Sequence, residues 1–319
     1  MIRVDKGVTL CYINDINNKQ KELTMQQNIF NRINTFAEYQ KKMSDYENQI
    51  TKMMIGKEGQ PIPCHVMIVS GDKGVGKTYK AEELLRNQTI RKWEIVNSSM
   101  SAVQLYKFLW EHNDAIIVLD DVNSIIQDSK DGASLLKAAT DSYMVRKLSW
   151  QKQNANCIPV HKFNLKSNAA ISDQMDTIAS TNVKLSVKHS AGMTFPDEFY
   201  FTGALIILTN KPLSIIDRAT EGAVSNRGWH QEMLFSVDGA VDLIRNFESR
   251  ITNYNGIDIA PENVKKAVEF LTSETSVRYY KEHAKVPTLR TLGKMALNFE
   301  FGNNVDMDTL VNETESPAY

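Results

Sequence analysis

The chain carries, in order, the octapeptide Gly71-Asp72-Lys73-Gly74-Val75-Gly76-Lys77-Thr78, an acidic pair Asp120-Asp121, Asn210 at the end of an apolar run, and two arginines, Arg227 and Arg290. Glycines at these spacings let the backbone curl so that successive N–H groups face an anion, and a following helix N-terminus adds partial positive charge. In that pattern Lys77 reaches the terminal phosphates of a nucleoside triphosphate and Thr78 holds Mg²⁺. An acidic pair closing an apolar strand downstream supplies what the metal and an attacking water need: Asp120 for the metal's water shell, Asp121 to orient or deprotonate the water. Asn210 would align the same water against the γ-phosphate. Arg227, in Ser225-Asn226-Arg227-Gly228, is placed to project from one subunit toward the γ-phosphate held by its neighbour, with Arg218 a weaker substitute. Arg290 would contact the same phosphates from above. Taken singly, an Asp-Asp pair reads as a cap or turn and an arginine as surface solvation. The order of all five features favours catalysis.

These residues need a scaffold, and the patterning supplies one. The apolar run His65-Val66-Met67-Ile68-Val69-Ser70 precedes the octapeptide, and Ala115–Leu119 and Leu205–Leu208 are continuous apolar runs ending at Asp120 and Asn210. Such runs fit parallel strands buried on both faces, with ligands at the carboxyl edge. Helices are expected over residues 77–87, 101–112 (capped by Ser101) and 132–143, and short strands over Trp93–Asn97 and Val145–Gln151. The result is an α/β, three-layer αβα nucleotide-binding domain with a parallel sheet over residues 60–228. An N-terminal segment, 1–59, carries an amphipathic helix over 26–54, expected simply to pack on the domain. A further strand, Met233–Val237, and helices near 239–252, 261–274 and 287–299 make a small C-terminal helical lid over 229–305. Pro287 is placed in the first turn of its last helix. Residues 306–319 contain acids and no Lys or Arg, which predicts a flexible acidic tail.

At 319 residues with 42% apolar content the chain can bury a real core, and its net charge of −1 excludes a globally basic nucleic-acid binder while leaving local patches open. No run approaches the roughly 18 apolar residues that span a membrane, and the N-terminus lacks a signal-peptide core, so no membrane contact and a cytoplasmic location are expected. Cys11, Cys64 and Cys157 are odd in number and far apart, which argues against a zinc site or a disulfide framework.

The order of elements resembles the AAA+ ATPases over residues 60–300: Walker A at Gly71 to Thr78, Walker B at Ile116 to Asp121, sensor 1 at Asn210, an arginine finger at Arg227 and sensor 2 at Arg290. The segments 105–112 and 199–210 look like those of small bacteriophage-encoded members. The resemblance implies ATP and Mg²⁺ as cofactors, ATP hydrolysis, and a homo-oligomeric, usually hexameric, ring with nucleotide at each interface. It also implies the host cytoplasm if the chain is phage-encoded. Asp121 stands where most relatives carry Glu, and Asn97-Ser98-Ser99-Met100 lacks the aromatic-hydrophobic-Gly signature of protein-threading pores.

The segment 144–198, inserted between the Walker B and sensor 1 strands, is the most individual part. Residues 146–190 hold seven Lys or Arg (146, 147, 152, 162, 166, 184, 188) against Asp173 and Asp176, a local charge of +5. Such a loop would track a phosphate backbone through Arg146, Lys147 and Lys152, with Trp150 or Phe163 available for base stacking. A solvated insertion is the alternative, and Val183–Val187 is a candidate for a further hairpin strand. DNA is thus the first macromolecule to expect, for a helicase-like, loader or packaging role. A chaperone or assembly factor gripping a protein partner, and a slow ATP-dependent switch or loader, remain as alternatives.

Overall fold

The computed structural model describes residues 32–55, 62, 64–97, 100–121, 130–150, 198–220 and 222–313. In chain order the first elements are helix α1 (Phe36–Met54), strand β1 (Val66–Gly71), helix α2 (Lys77–Arg86), strand β2 (Trp93–Val96), helix α3 (Ala102–Glu111), strand β3 (Ile116–Asp120) and helix α4 (Lys130–Ala139). Then follow β4 (Arg146–Ser149), β5 (Glu198–Phe201), β6 (Ala204–Thr209), α5 (Leu213–Thr220), β7 (Trp229–Met233) and α6 (Val237–Phe247). A two-strand hairpin, β8 (Asn253–Tyr254) and β9 (Ile257–Asp258), precedes α7 (Pro261–Leu271), α8 (Glu274–Glu282), α9 (Leu289–Glu300) and α10 (Met307–Glu313).

Five strands form one parallel sheet in the order β2-β3-β6-β1-β7. The apolar runs of β1, β3 and β6 are buried along their length because both faces are covered. Ile117 and Leu119 point into a core with α3 and α4, while Ile116 and Val118 point into one with α1 and α2. This alternation is what makes three layers. Register then fixes the site: Ser70 pairs with Thr209 and Asp120 with Leu208, so Gly71, Asp121 and Asn210 all emerge at the same sheet edge. Ser101 caps α3 as expected, and the structure adds Gln104 as its partner in a capping box.

Several boundaries differ from expectation. The last sheet strand is Trp229–Met233, not Met233–Val237. As an edge strand it pairs, among the described residues, only with β1 and has a mixed pattern, whereas Met233, Leu234 and Phe235 are buried beside the Gly71–Thr78 loop. Past Met233 the run leaves β1 and makes one isolated parallel bridge, Phe235 with Ile33, whose N–H donates to Leu234 O at 2.7 Å. Helix α4 stops at Ala139, with the Thr140 hydroxyl donating back to Leu136 O at 2.8 Å. Helix α9 begins at Leu289 rather than in a first turn with Pro287, which lies outside it, and Thr288 caps it in a capping box with Thr291. The lid also contains α8 and the hairpin, whose turn residues Asn255 (φ 51) and Gly256 (φ 79) are the left-handed pair that a two-residue hairpin favours. Residues 307–313, expected as tail, form α10: Leu310 is fully buried and Lys294 reaches Glu313 at 2.7 Å. The expected start of the first helix at 26 to 31 and the hairpin strand 183–187 lie outside the described residues. Among the described residues no helix is long and apolar enough to cross a membrane.

Candidate nucleotide-binding site

Strand β1 ends at Gly71, whose φ of 140 and closeness to the Met233 carbonyl leave no room for a side chain. The loop then crosses to α2. Gly74 takes φ 66, and a Cβ there would stand 3.0 Å from both the Arg290 Cβ and the Thr288 hydroxyl, so the lid helix α9 closes directly over the loop. The Asp72 side chain turns away from the loop's mouth. It is buried and accepts the Phe235 N–H at 2.8 Å, while its own N–H donates to Met233 O at 3.0 Å. Asp72 therefore anchors the loop to β7 rather than meeting a ligand with its carboxylate.

Lys77 is 6% exposed and spends its ammonium on Gly71 O (2.9 Å), Asp72 O (2.7 Å) and Asn210 Oδ1 (3.1 Å). Burial lowers its pKa to about 8, against the pull of Asp72, Asp120 and Asp121. Asn210 Nδ2 donates to Asp121 Oδ2 at 3.0 Å, so one amide joins the lysine to the second acid. Asp121 has a left-handed φ of 55 and donates its N–H to Leu208 O at 3.0 Å, which bends the chain toward Asn210 as β3 ends. Thr78 Oγ1 donates to Asp120 Oδ2 at 2.9 Å. Burial raises the Asp120 pKa, with the Thr78 hydrogen bond opposing and Asp121 adding to the rise.

These groups open on a cleft of about 1050 Å³ bounded by the loop, α1 and the lid. The left-handed glycines and the buried lysine fit a polyphosphate. The hard oxygens of Thr78 and Asp120 fit Mg²⁺, which takes few protein ligands and keeps its waters. Lys73, Val75 and Arg290 also line the cleft. Sequence reasoning placed these residues but missed the opposite wall. There α1 contributes Phe36, Tyr39 and Gln40, and the lid contributes Phe247, Arg250 and Tyr254. The Arg250 guanidinium lies 5.5 Å from the Phe36 ring centroid and 5.1 Å from that of Phe247. Two buried tyrosines on α1's apolar face, and the Asn255-Gly256 turn, were the available signals.

Arg227 is not in this cleft. It stands just before β7, at the amino edge of the sheet, with Nη1 donating to Lys137 O at 2.7 Å and Nη2 3.9 Å from Asp141 Oδ1. Arg218 is exposed near the end of α5.

The basic segment is corrected in part. Arg146 is 2% exposed, donates to the Gly203 carbonyl and lies 4.8 Å from the Phe201 ring centroid, so it cannot contact DNA. On β4, which pairs with β5, alternate side chains face inward, and residue 146 falls on the inward set with Leu148. Trp150 is likewise unavailable for base stacking, being buried against Tyr106 at 5.8 Å between centroids. Lys147 faces out and pairs with Glu198 at 2.7 Å. Lys152 and Phe163 lie outside the described residues.

No protein-family model matches the chain. A stretch of 89 residues is 32% identical to an uncharacterized 36.7 kDa protein from the nrdC-mobD intergenic region of Enterobacteria phage T4, covering 26% of this chain and 27% of that one. Three solved structures are similar at low identity. The Aeropyrum pernix Orc1 protein in complex with DNA is 14% identical with a TM-score of 0.41, over 85% of this chain and 63% of that one. The Thermotoga maritima RuvB Holliday junction branch migration motor is 11% identical with a TM-score of 0.35, over 89% and 72%. The replication initiator DnaA bound to AMPPCP and single-stranded DNA is 12% identical with a TM-score of 0.35, over 83% and 63%. The chain thus spans about a quarter of its phage relative and less than two thirds of the Orc1 and DnaA chains. These likenesses add nothing to the α/β layout described above.

Proposed function

We propose that the chain is an AAA+ ATPase that binds ATP with Mg²⁺ in the cleft between sheet edge and lid, hydrolyses it, and works as a homo-oligomeric ring on DNA. The observation that carries this reading is the hydrogen-bonded set at the sheet edge, Thr78 with Asp120 and Lys77 through Asn210 to Asp121. Lys77 would exchange its carbonyl partners for phosphate oxygens, which keeps its buried charge satisfied. Asp121 would accept the proton of the attacking water, and Asn210, already bonded to it, would hold that water in line. Magnesium, held by Thr78 and Asp120, would offset charge on the phosphate oxygens. Arg290 sits over the loop to contact the same oxygens from the lid. Arg227, at the opposite sheet edge from the cleft, would act on a neighbour's nucleotide by exchanging Lys137 O and Asp141 for phosphate. DNA contact would fall to Lys152, Lys162, Lys166, Lys184 and Lys188.

A second reading, a slow switch or loader, is favoured by one observation. The Asp121 carboxylate is shorter than the usual Glu and is already engaged by Asn210. Steady-state ATPase rates with Mg²⁺, with and without single-stranded DNA, separate the two. The motor reading expects DNA-stimulated multiple turnover, while the switch reading expects a single slow turnover. Asp121→Asn should retain ATP binding and lose hydrolysis by about two orders of magnitude or more. A wild-type protein that hydrolyses no ATP in Mg²⁺ refutes the ATPase assignment, and one with no low-salt DNA affinity removes DNA as its cargo.

A further inference from the structure

Helix α1 buries Tyr39, Met43, Tyr46, Ile50 and Met53 along one face. A purely structural face would serve as well with phenylalanine at 39 and 46, because a buried phenol costs free energy unless its hydroxyl is bonded. Both hydroxyls are bonded, and to the phosphate loop itself: Tyr39 OH donates to Val75 O at 3.0 Å and Tyr46 OH to Lys77 O at 3.0 Å. Tyr39 is 5% exposed and Tyr46 fully buried. Burial raises both phenol pKa values, Tyr39's to about 12, so the two hydroxyls remain donors throughout the working pH range.

The consequence follows from peptide geometry. In a trans peptide the C=O of one residue and the N–H of the next point in opposite directions, and no cis bond occurs among the described residues. A donor pulling the Val75 carbonyl toward α1 turns the Gly76 N–H away from α1. Lys77 opens α2, so helix geometry already directs its carbonyl along the axis; the Tyr46 hydroxyl is a second donor to that oxygen and fastens α1 to the plane carrying the Thr78 N–H, one of the first amides of α2 without a partner in the helix. A loop that aims successive amides at an anion must turn the matching carbonyls outward, and those carbonyls need donors behind them.

We infer that Tyr39 and Tyr46 are positioning residues for phosphate binding: from α1, which flanks the loop, they hold the Val75–Gly76 and Lys77–Thr78 peptide planes with their carbonyls toward the helix and their amides free for an anion. The inference rests on the nucleotide reading proposed above. It ties the two turns of α1 between Tyr39 and Tyr46 to the binding machinery, and leaves the end of the helix that carries Met53 outside it. The spacing of seven residues places both hydroxyls on one helix face, two turns apart.

The test uses Tyr39→Phe, Tyr46→Phe and the double variant, which keep the rings and their packing. Met53→Leu serves as a control on the same buried face, away from the cleft. ATP KM and kcat are measured with melting temperature, alongside the affinities of ATP and of adenosine. Tyr39→Phe, which takes the donor from the Val75 carbonyl outside the helix, should raise KM about fivefold to tenfold, and Tyr46→Phe, whose carbonyl keeps its helical partner, about twofold to threefold. Because the amides hold phosphate in the ground and transition states alike, kcat should stay within about twofold. The preference for ATP over adenosine should fall by the same factor as KM rises. Met53→Leu should shift only the melting temperature. A double variant with wild-type KM and unchanged ATP preference overturns the inference while leaving ATP binding in place. Lower thermal stability with both parameters unchanged also overturns it, reducing the tyrosines to packing. A wild-type protein that binds no ATP overturns the nucleotide reading and this inference together.

Discussion

Lys77 and Arg146 are both buried cations that the sequence marks as ligands for phosphate, and the fold assigns them opposite work. Lys77 has oxygen acceptors for its ammonium and lies at the mouth of a large cleft beside two acids. Arg146 has one carbonyl and an aromatic face, with its Nε and Nη1 buried without an acceptor, and burial lowers its pKa to about 9. A buried cation can serve an incoming anion only where its present partners are exchangeable and face open space. Otherwise it is part of the packing, and its desolvation is a cost carried by the fold.

The largest effect that could break this contrast is Lys77→Ala, which should lower ATP affinity about a thousandfold, the scale on which a buried charge loses its partner. Calorimetric titration reads it directly, and retained affinity would remove Lys77 from the phosphate site. Arg146→Ala should instead destabilise the fold by about 3 kcal/mol in denaturant unfolding, while Arg146→Met should regain most of that loss. If the protein binds DNA as proposed, both Arg146 variants should keep that affinity where folded, and a lower affinity in Arg146→Met would return the residue to a binding role.

The contrast sharpens with pH. Lys77 falls from an ordinary 10.5 to about 8 in the folded state, so the unfolded chain binds more protons between those values. Stability of the ligand-free protein should therefore be lowest below pH 8 and rise toward pH 10.5, by on the order of 3 kcal/mol relative to Lys77→Met. Chemical denaturation of the two proteins across that window checks it, and parallel curves would mean that Lys77 is not desolvated. Asp72→Ala, which leaves the Phe235 N–H without its carboxylate, should cost about 2 kcal/mol of stability. Lys147→Ala, which breaks a half-exposed pair with Glu198, should change stability by less than about 0.5 kcal/mol.

The phosphate loop, the acidic pair and Asn210 were legible because their chemistry needs particular residue types at the ends of buried parallel strands. Continuous apolar runs reveal such strands. Arg290 was legible only as the start of a lid helix above the loop, and its place over Gly74 comes from the fold. The edge strand was misplaced by four residues because its mixed pattern is weaker than the buried run beside it. Charge counting failed at Arg146, since a count of basic residues carries no information about which face of a two-residue repeat turns inward.

The sequence by itself determined the αβα layers and named the loop, acidic pair and Asn210 that meet at one cleft, because local patterning and the ends of buried strands are written into neighbouring residues. Only the tertiary structure decided that Tyr39 and Tyr46 of α1 bond the backbone of the Gly71–Thr78 loop. It also decided that Arg227 rests on Lys137 and that Arg146 is buried. Each of these depends on contacts between residues distant in the chain, which burial and hydrogen-bond satisfaction select and which no local pattern records.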